Sequence, residues 1–365
     1  MRPQIWLIVS VAILFAFGLL MVFNTTSAEI IDRSLTTSTH ASLLKQIAYA
    51  CVGLVVGSAV YAWGYQSLLR WSTPLLIGGV ILLLLVFIPG IGQTLNGSRR
   101  WIGLLGYTFQ PSECIKILIS AFYIRWYLIQ EGEIGWASFL KILSWISIPI
   151  GLILLEPDNG TTALLLSLLV ILFFLTRIRF AFWALPLCLL LTIGVVGALQ
   201  LPYVRNRIEI YLHPELDLKG KGHQPHQAKI AAGSGQMFGR GIGESLQKLN
   251  YLPEARSDYI AAIFAEETGF VGILGLIALY ATFTFSGFMI ANQASDRGAF
   301  LLGSVLTYLI SIQAFLNLGI VSGLLPSKGM TLPFFSQGGS SLIVNIIALF
   351  LLLDIARKKR CLAVH

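Results

Sequence analysis

"IWLIVSVAILFAFGLLMVF", residues 5–23, contains no charged side chain. Coiled as a helix it rises about 28 Å, close to the hydrocarbon thickness of a bilayer, and a run this long and apolar reads as a membrane span. Arg2 before it and Ala28 after it imitate a secretory signal. The run is long for a signal core, however, and further spans follow, so it is kept as span one.

Nine more runs follow, at 43–63, 75–91, 111–129, 137–155, 161–175, 181–201, 268–290, 299–321 and 335–353. The 365 residues are 56% hydrophobic and only 12% charged, with a mean hydropathy of +0.79. Soluble domains carry about 25% charge, so a water-soluble core is excluded. The expected fold is an all-α integral membrane protein, one polytopic domain over 1–365 with about ten transmembrane helices. Residues 202–267 form its one long polar insertion, a loop between helices seven and eight, and should hold short amphipathic helices on the membrane.

The net charge of +8 arises from lysines and arginines scattered over loops, with no basic stripe interleaved with aromatics, so a nucleic-acid partner is not expected. Placing both termini in the cytoplasm puts Arg70, Arg125, Lys141, Arg177, Arg179, Arg297 and the tail Arg357 to Arg360 inside, as the positive-inside rule favours. The long loop then faces outward. Cys51, Cys114 and Cys188 fall in spans and Cys361 in the tail, which leaves no disulfide framework.

In that orientation the ionisable residues at span ends gather on the outer side: Arg99 and Arg100 before Trp101, Glu113 and Lys116, Glu156 and Asp158, Glu266 and Glu267, and Lys328. Glu113 and Lys116 are three apart on one helix face. Each alone reads equally as an interfacial residue; together they imply an outward-facing polar cavity. Apart from Asn317 and Asn345 the span middles hold little that is polar, which favours chemistry at the outer face over passage through the membrane.

Three local signals are weaker. "GSGQMFGRGIG" (233–243) has G-x-G-x-x-x-G spacing, one residue too long for a dinucleotide loop, and reads as an anion-binding turn or as a plain re-entrant or surface turn. Pro225 between His223 and His226 is expected to spoil a helical pairing of the two imidazoles, and no third ligand completes a zinc set. Asp258, beside Arg256 and ahead of "YIAAIF", reads equally as a general base and as a helix N-terminal aspartate.

Five segments in order, "NGSRRWI" (96–102), "QPSECIK" (110–116), "EPDNG" (156–160), "LPEARSDYIAAIFAEETGFVG" (252–272) and "GLLPSKGMTLPFFSQGGSSL" (323–342), resemble the SEDS family, the bacterial shape, elongation, division and sporulation proteins. Lys328 in "PSKGMTLPF" is similar to the division-type branch rather than the elongation-type one. The resemblance implies ten transmembrane helices in the bacterial cytoplasmic membrane and a peptidoglycan glycosyltransferase that polymerises lipid II outside it. It also implies a class B penicillin-binding protein partner, other division proteins and action at the septum.

By the same resemblance Asp258 is the catalytic base. The anionic leaving group is met by Arg100, Lys116 and Lys328, with Arg99 and Arg256 behind them, or by a divalent cation (Mg or Mn); Glu113 orients Lys116. Trp101, Glu156, Asp158, Lys248, Glu254, Glu266, Glu267 and Ser336 would support the cavity. The sequence departs from the family pattern at Asn250, Arg256, Ser257, Tyr259 and Gln337; loss of an acid at Asn250 and gain of Arg256 make the outer cavity more positive. A lipid II flippase, a noncatalytic scaffold and another lipid-linked sugar polymerase or ligase remain open on sequence alone.

Overall fold

The computed structural model describes residues 2–33, 40–95, 98–104, 107–130, 133–184, 188, 192, 223–248, 256–326 and 329–362. Helices dominate: α1 (Pro3–Arg33), α2 (Ala41–Trp63), α3 (Tyr65–Arg70), α4 (Ser72–Val86), α5 (Pro111–Ile129), α6 (Trp136–Leu155), α7 (Asn159–Leu175), α8 (His223–Ser234), α9 (Ile260–Asn292), α10 (Arg297–Val321) and α11 (Gly339–Leu362). Six of these are long and apolar enough to cross a membrane, and α4 and α7 are shorter apolar helices. Nine of the ten apolar runs therefore coincide with helices, and the seventh lies mostly outside the described residues.

The expected helices differ from the observed ones mainly at their ends. The third run was expected to reach residue 91, but α4 stops at Val86, and Pro89 and Gly90 (φ 92°) lead the chain into a sheet. That small antiparallel sheet, β1 (Gly92–Leu95), β2 (Ser98–Leu104) and β3 (Tyr107–Phe109), is an addition to the all-α expectation. Its register pairs Gln93 with Trp101, Thr94 with Arg99 and Ile102 with Phe109. Asn96-Gly97 between β1 and β2 is a strong hairpin signal in the sequence.

Close helix packing sets the frame. A Cβ at Gly53 or Gly57 of α2 would meet Ile346 at 2.8 Å or Phe350 at 2.5 Å on α11, so this G-x-x-x-G pair lets two spans approach as only glycine allows. Helix α1 packs on α9, and α9 on α10. At one end of the bundle the buried Asp354 accepts from the Tyr65 backbone N–H (2.9 Å) and Arg357 (2.7 Å), while Arg125 reaches the Leu69 carbonyl (3.4 Å).

The starts of α5, α7, α9 and α11 and the ends of α6 and α10 meet at the other end. There α9 is two helices rather than one. Gly269 has φ 70° and ψ −167°, which breaks the helix between a first part, buried from Ile260 to Glu267, and the span beyond. The break leaves backbone groups without helical partners, and the glycine-rich turn supplies them: Arg240 and Gly241 N–H donate to the carbonyls of Glu266 and Glu267 (both 3.0 Å), and Phe270 and Val271 N–H donate to Gln236 (2.8 Å) and Met237 (3.1 Å).

That accounts for the 233–243 run as a packing element, since a Cβ at Gly239 would lie 2.1 Å from the Glu267 carbonyl oxygen. His223 and His226 both lie in α8, contrary to the expectation that Pro225 would prevent it. Proline in the first turn removes only a donor that has no helical partner there.

Candidate active site

Asp258 sits one residue ahead of Tyr259, the N-cap of α9, and is half-buried. Two neighbours fix it. The Asn317 side-chain amide, fully buried on α10, donates to the Asp258 carbonyl at 2.9 Å and to the Met330 carbonyl at 2.6 Å. Gly329 lies so near that a Cβ there would stand 3.3 Å from the Asp258 carboxylate. Arg256, also half-buried, accepts the Gln337 N–H through its carbonyl at 3.0 Å. The turn bearing Arg256 and Asp258 is thus stitched to the 329–337 segment on both sides.

From that segment a polar chain runs inward. Gln313 donates to the Thr331 carbonyl (3.1 Å), and its oxygen lies 3.5 Å from Lys116, which is only 2% exposed. Lys116 pairs with Glu113 at 2.7 Å on one face of α5, as their spacing predicted. Thr331 reaches Ser341 at the start of α11 (3.1 Å). The neighbouring Ser340 accepts the Gln110 N–H at 2.8 Å, and Gln110 donates from its side chain to Asp158 at 3.0 Å.

Asp158 caps α7 through the Thr161 N–H (3.1 Å) and lies 3.5 Å from Arg100. Arg100 in turn donates to the carbonyls of Glu156 (3.2 Å) and Pro157 (2.6 Å). Glu156 is 1% exposed, and among the described residues neither of its carboxyl oxygens has a hydrogen-bond partner. Burial, with Asp158 adding repulsion that Arg100 partly offsets, pushes its carboxyl up to about 8.

Arg99 points away from this chain and donates to the Phe87 carbonyl (3.2 Å), closing the end of α4; Trp101 is half-buried on β2. Ser336 holds its own turn, accepting the Leu332 N–H at 2.8 Å. Glu266, Glu267 and Lys248 form a second network about 10 Å further along α9. There Glu266 accepts from Ser245 (2.6 Å), and Glu267 accepts from Asn24 of α1 (2.7 Å) and from Lys248 (3.1 Å). Glu254 and Lys328 lie outside the described residues.

Gln110, Gln313, Asn317 and Ser340 join the nominated residues but were not nominated themselves. Gln110 and Ser340 stand in two of the family-like segments, and Asn317 is a polar residue in an apolar span; Gln313 carries no such signal. Among the described residues no three of His, Cys, Asp and Glu converge to hold a metal ion.

A family model described as "Cell cycle protein", covering FtsW, RodA and SpoVE, matches residues 4–361. The chain belongs to this family. It is 37% identical over 361 residues to the probable peptidoglycan glycosyltransferase FtsW of Legionella pneumophila, covering 97% of this chain and 91% of that one. It is 34% identical to the stage V sporulation protein E of Bacillus subtilis, covering 98% of each. Family members have also been solved. A chain of a peptidoglycan synthase complex that coordinates polymerization and crosslinking superposes with a TM-score of 0.77 at 26% identity, covering 97% of both chains. The rod shape determining protein RodA of Thermus thermophilus gives 0.70 at 23% identity, covering 97% of this chain and 96% of that one, and so shares the fold.

Proposed function

We propose that this family member is a peptidoglycan glycosyltransferase that polymerises lipid II at the end of the bundle where Asp258 lies. The observation that carries the reading is the fixing of Asp258 by Asn317 at 2.9 Å, within a polar chain that leads to Arg100 and Lys116. A half-buried carboxylate held in place through its own backbone suits a general base.

In this reading the 4-hydroxyl oxygen of the acceptor sugar attacks C1 of the lipid-linked MurNAc and gives its proton to the Asp258 carboxylate. The C1–oxygen bond to phosphate breaks, and undecaprenyl pyrophosphate departs with the electron pair. Attack opposite the leaving group inverts the anomeric centre. Arg100 and Arg256, both half-buried, are the candidates to meet the pyrophosphate, with Lys328 as a further one. Lys116, buried and paired, holds the floor through Glu113 and Gln313.

The site faces outward, both termini are cytoplasmic, and a class B penicillin-binding protein crosslinks the product. The relatives named FtsW and the synthase-complex neighbour support a polymerase acting with such a partner, and the proposed place of action is the septum. The test is glycan formation from purified lipid II by the chain with its class B partner. Glycan product supports the reading; lipid movement across a bilayer without product would favour a flippase, and an intact complex with neither would favour a scaffold.

A further inference from the structure

The turn that mends the α9 break exposes large apolar side chains where a soluble loop would not. Met237 is 56% and Phe238 81% exposed, while their backbone is rigidly held: Gly239 N–H closes the turn on Gly235 (2.7 Å), and Val271 N–H donates to Met237 (3.1 Å). The turn is therefore fixed against the first residues of the α9 span.

That span sets the depth. From Phe270 to Ile290 the helix rises about 31 Å, which matches the hydrocarbon core and puts Phe270 at its edge. Phe270, Val271, Leu274 and Ile277 form its exposed apolar face, about half of each being accessible. Met237 and Phe238 extend this lipid-facing surface sideways at the same level. An apolar patch continuous with the side of a membrane span is covered by lipid, and interfacial apolar groups reach about 5–10 Å into the headgroup and acyl boundary.

We infer that the Gln236–Gly239 turn is a membrane-inserted anchor, with Met237 and Phe238 entering the bilayer boundary beside the first turn of the α9 span. The occupant of the patch is lipid, independently of the reaction proposed above. One consequence is mechanical. The anchor holds the break at Gly269, and with it the buried segment whose start carries Asp258, at a fixed depth.

The test uses the full chain in phosphatidylcholine proteoliposomes without a protein partner. Its four native cysteines are replaced by serine or alanine, and an environment-sensitive fluorophore is placed by Phe238→Cys, by Met237→Cys as a second probe, and by Glu244→Cys on the exposed loop beyond as the aqueous reference. The label at 238 or 237 should emit to the blue of that at 244 and be quenched severalfold more by nitroxide-bearing lipid than by aqueous iodide. Iodide quenching at 237 and 238 equal to that at 244 would overturn the anchor and leave the patch to a protein partner.

Discussion

Asn317 bridges two backbone carbonyls that belong to separate loops, donating to Asp258 at 2.9 Å and to Met330 at 2.6 Å. One buried amide thereby fixes both the proposed base and the loop that faces it. Asn317→Leu leaves both carbonyls without their donor, at about 1–3 kcal/mol for the buried Met330 carbonyl and less for the half-buried Asp258 one. Polymerisation should fall on the order of 100-fold, mainly in kcat, because a misplaced base slows the chemical step more than binding. Thermal unfolding alongside the rate separates the two effects.

The Glu113–Lys116 pair is a second test of how the site is built. Removing one charge strands the other in the interior, so Lys116→Met alone should destabilise the chain by about 3–5 kcal/mol. The double replacement Glu113→Leu/Lys116→Met should recover most of that loss. Unfolding midpoints of the two variants and wild type check the coupling, and the double variant's rate then shows whether the pair serves the reaction or only the fold.

Glu156 gives the pH dependence a sign. Its carboxyl is held at about 8 in the folded chain against an ordinary value of 4.5, so the folded state keeps a proton that the unfolded state releases. The contribution is complete below about pH 4.5 and is lost as pH rises through about 8. Glu156→Gln removes the titration, so its unfolding midpoint should approach that of wild type near pH 4.5, exceed it increasingly as pH rises towards about 8, and keep a constant lead above that. A difference independent of pH would contradict the assignment.

Gly269 tests the broken helix. With φ at 70° and a Cβ that would stand 2.3 Å from the Gly239 nitrogen, Gly269→Ala meets both backbone strain and a clash with main chain. The strain alone costs about 1–3 kcal/mol, since φ 70° with ψ −167° is a conformation open essentially only to glycine. Gly275→Ala in the same helix meets nothing within 4 Å and should be neutral or slightly stabilising. Expression level and unfolding midpoint distinguish the two.

The spans were legible because runs such as 5–23 leave a chain no alternative to a bilayer, and the pairing of Glu113 with Lys116 followed from helical spacing. Other features depend on partners distant in sequence. Glu266 and Glu267 look like interfacial charges until Ser245, Asn24 and Lys248 are brought onto them, and Asp258 meets Asn317 across 59 residues. The glycine run could not be understood before the break it mends was known. The short strands were obscured by the arginines at 99 and 100, although Asn96-Gly97 marked the hairpin.

The most direct test of the account is the rate of glycan formation by Asp258→Asn against wild type, with folding and partner binding confirmed for both. Asparagine keeps the shape and the backbone bond to Asn317 but cannot take the proton. The account predicts a loss of at least about 100-fold in kcat, within the range that general-base catalysis supplies. Equal rates for the two folded proteins would contradict it and make Asp258 a structural residue.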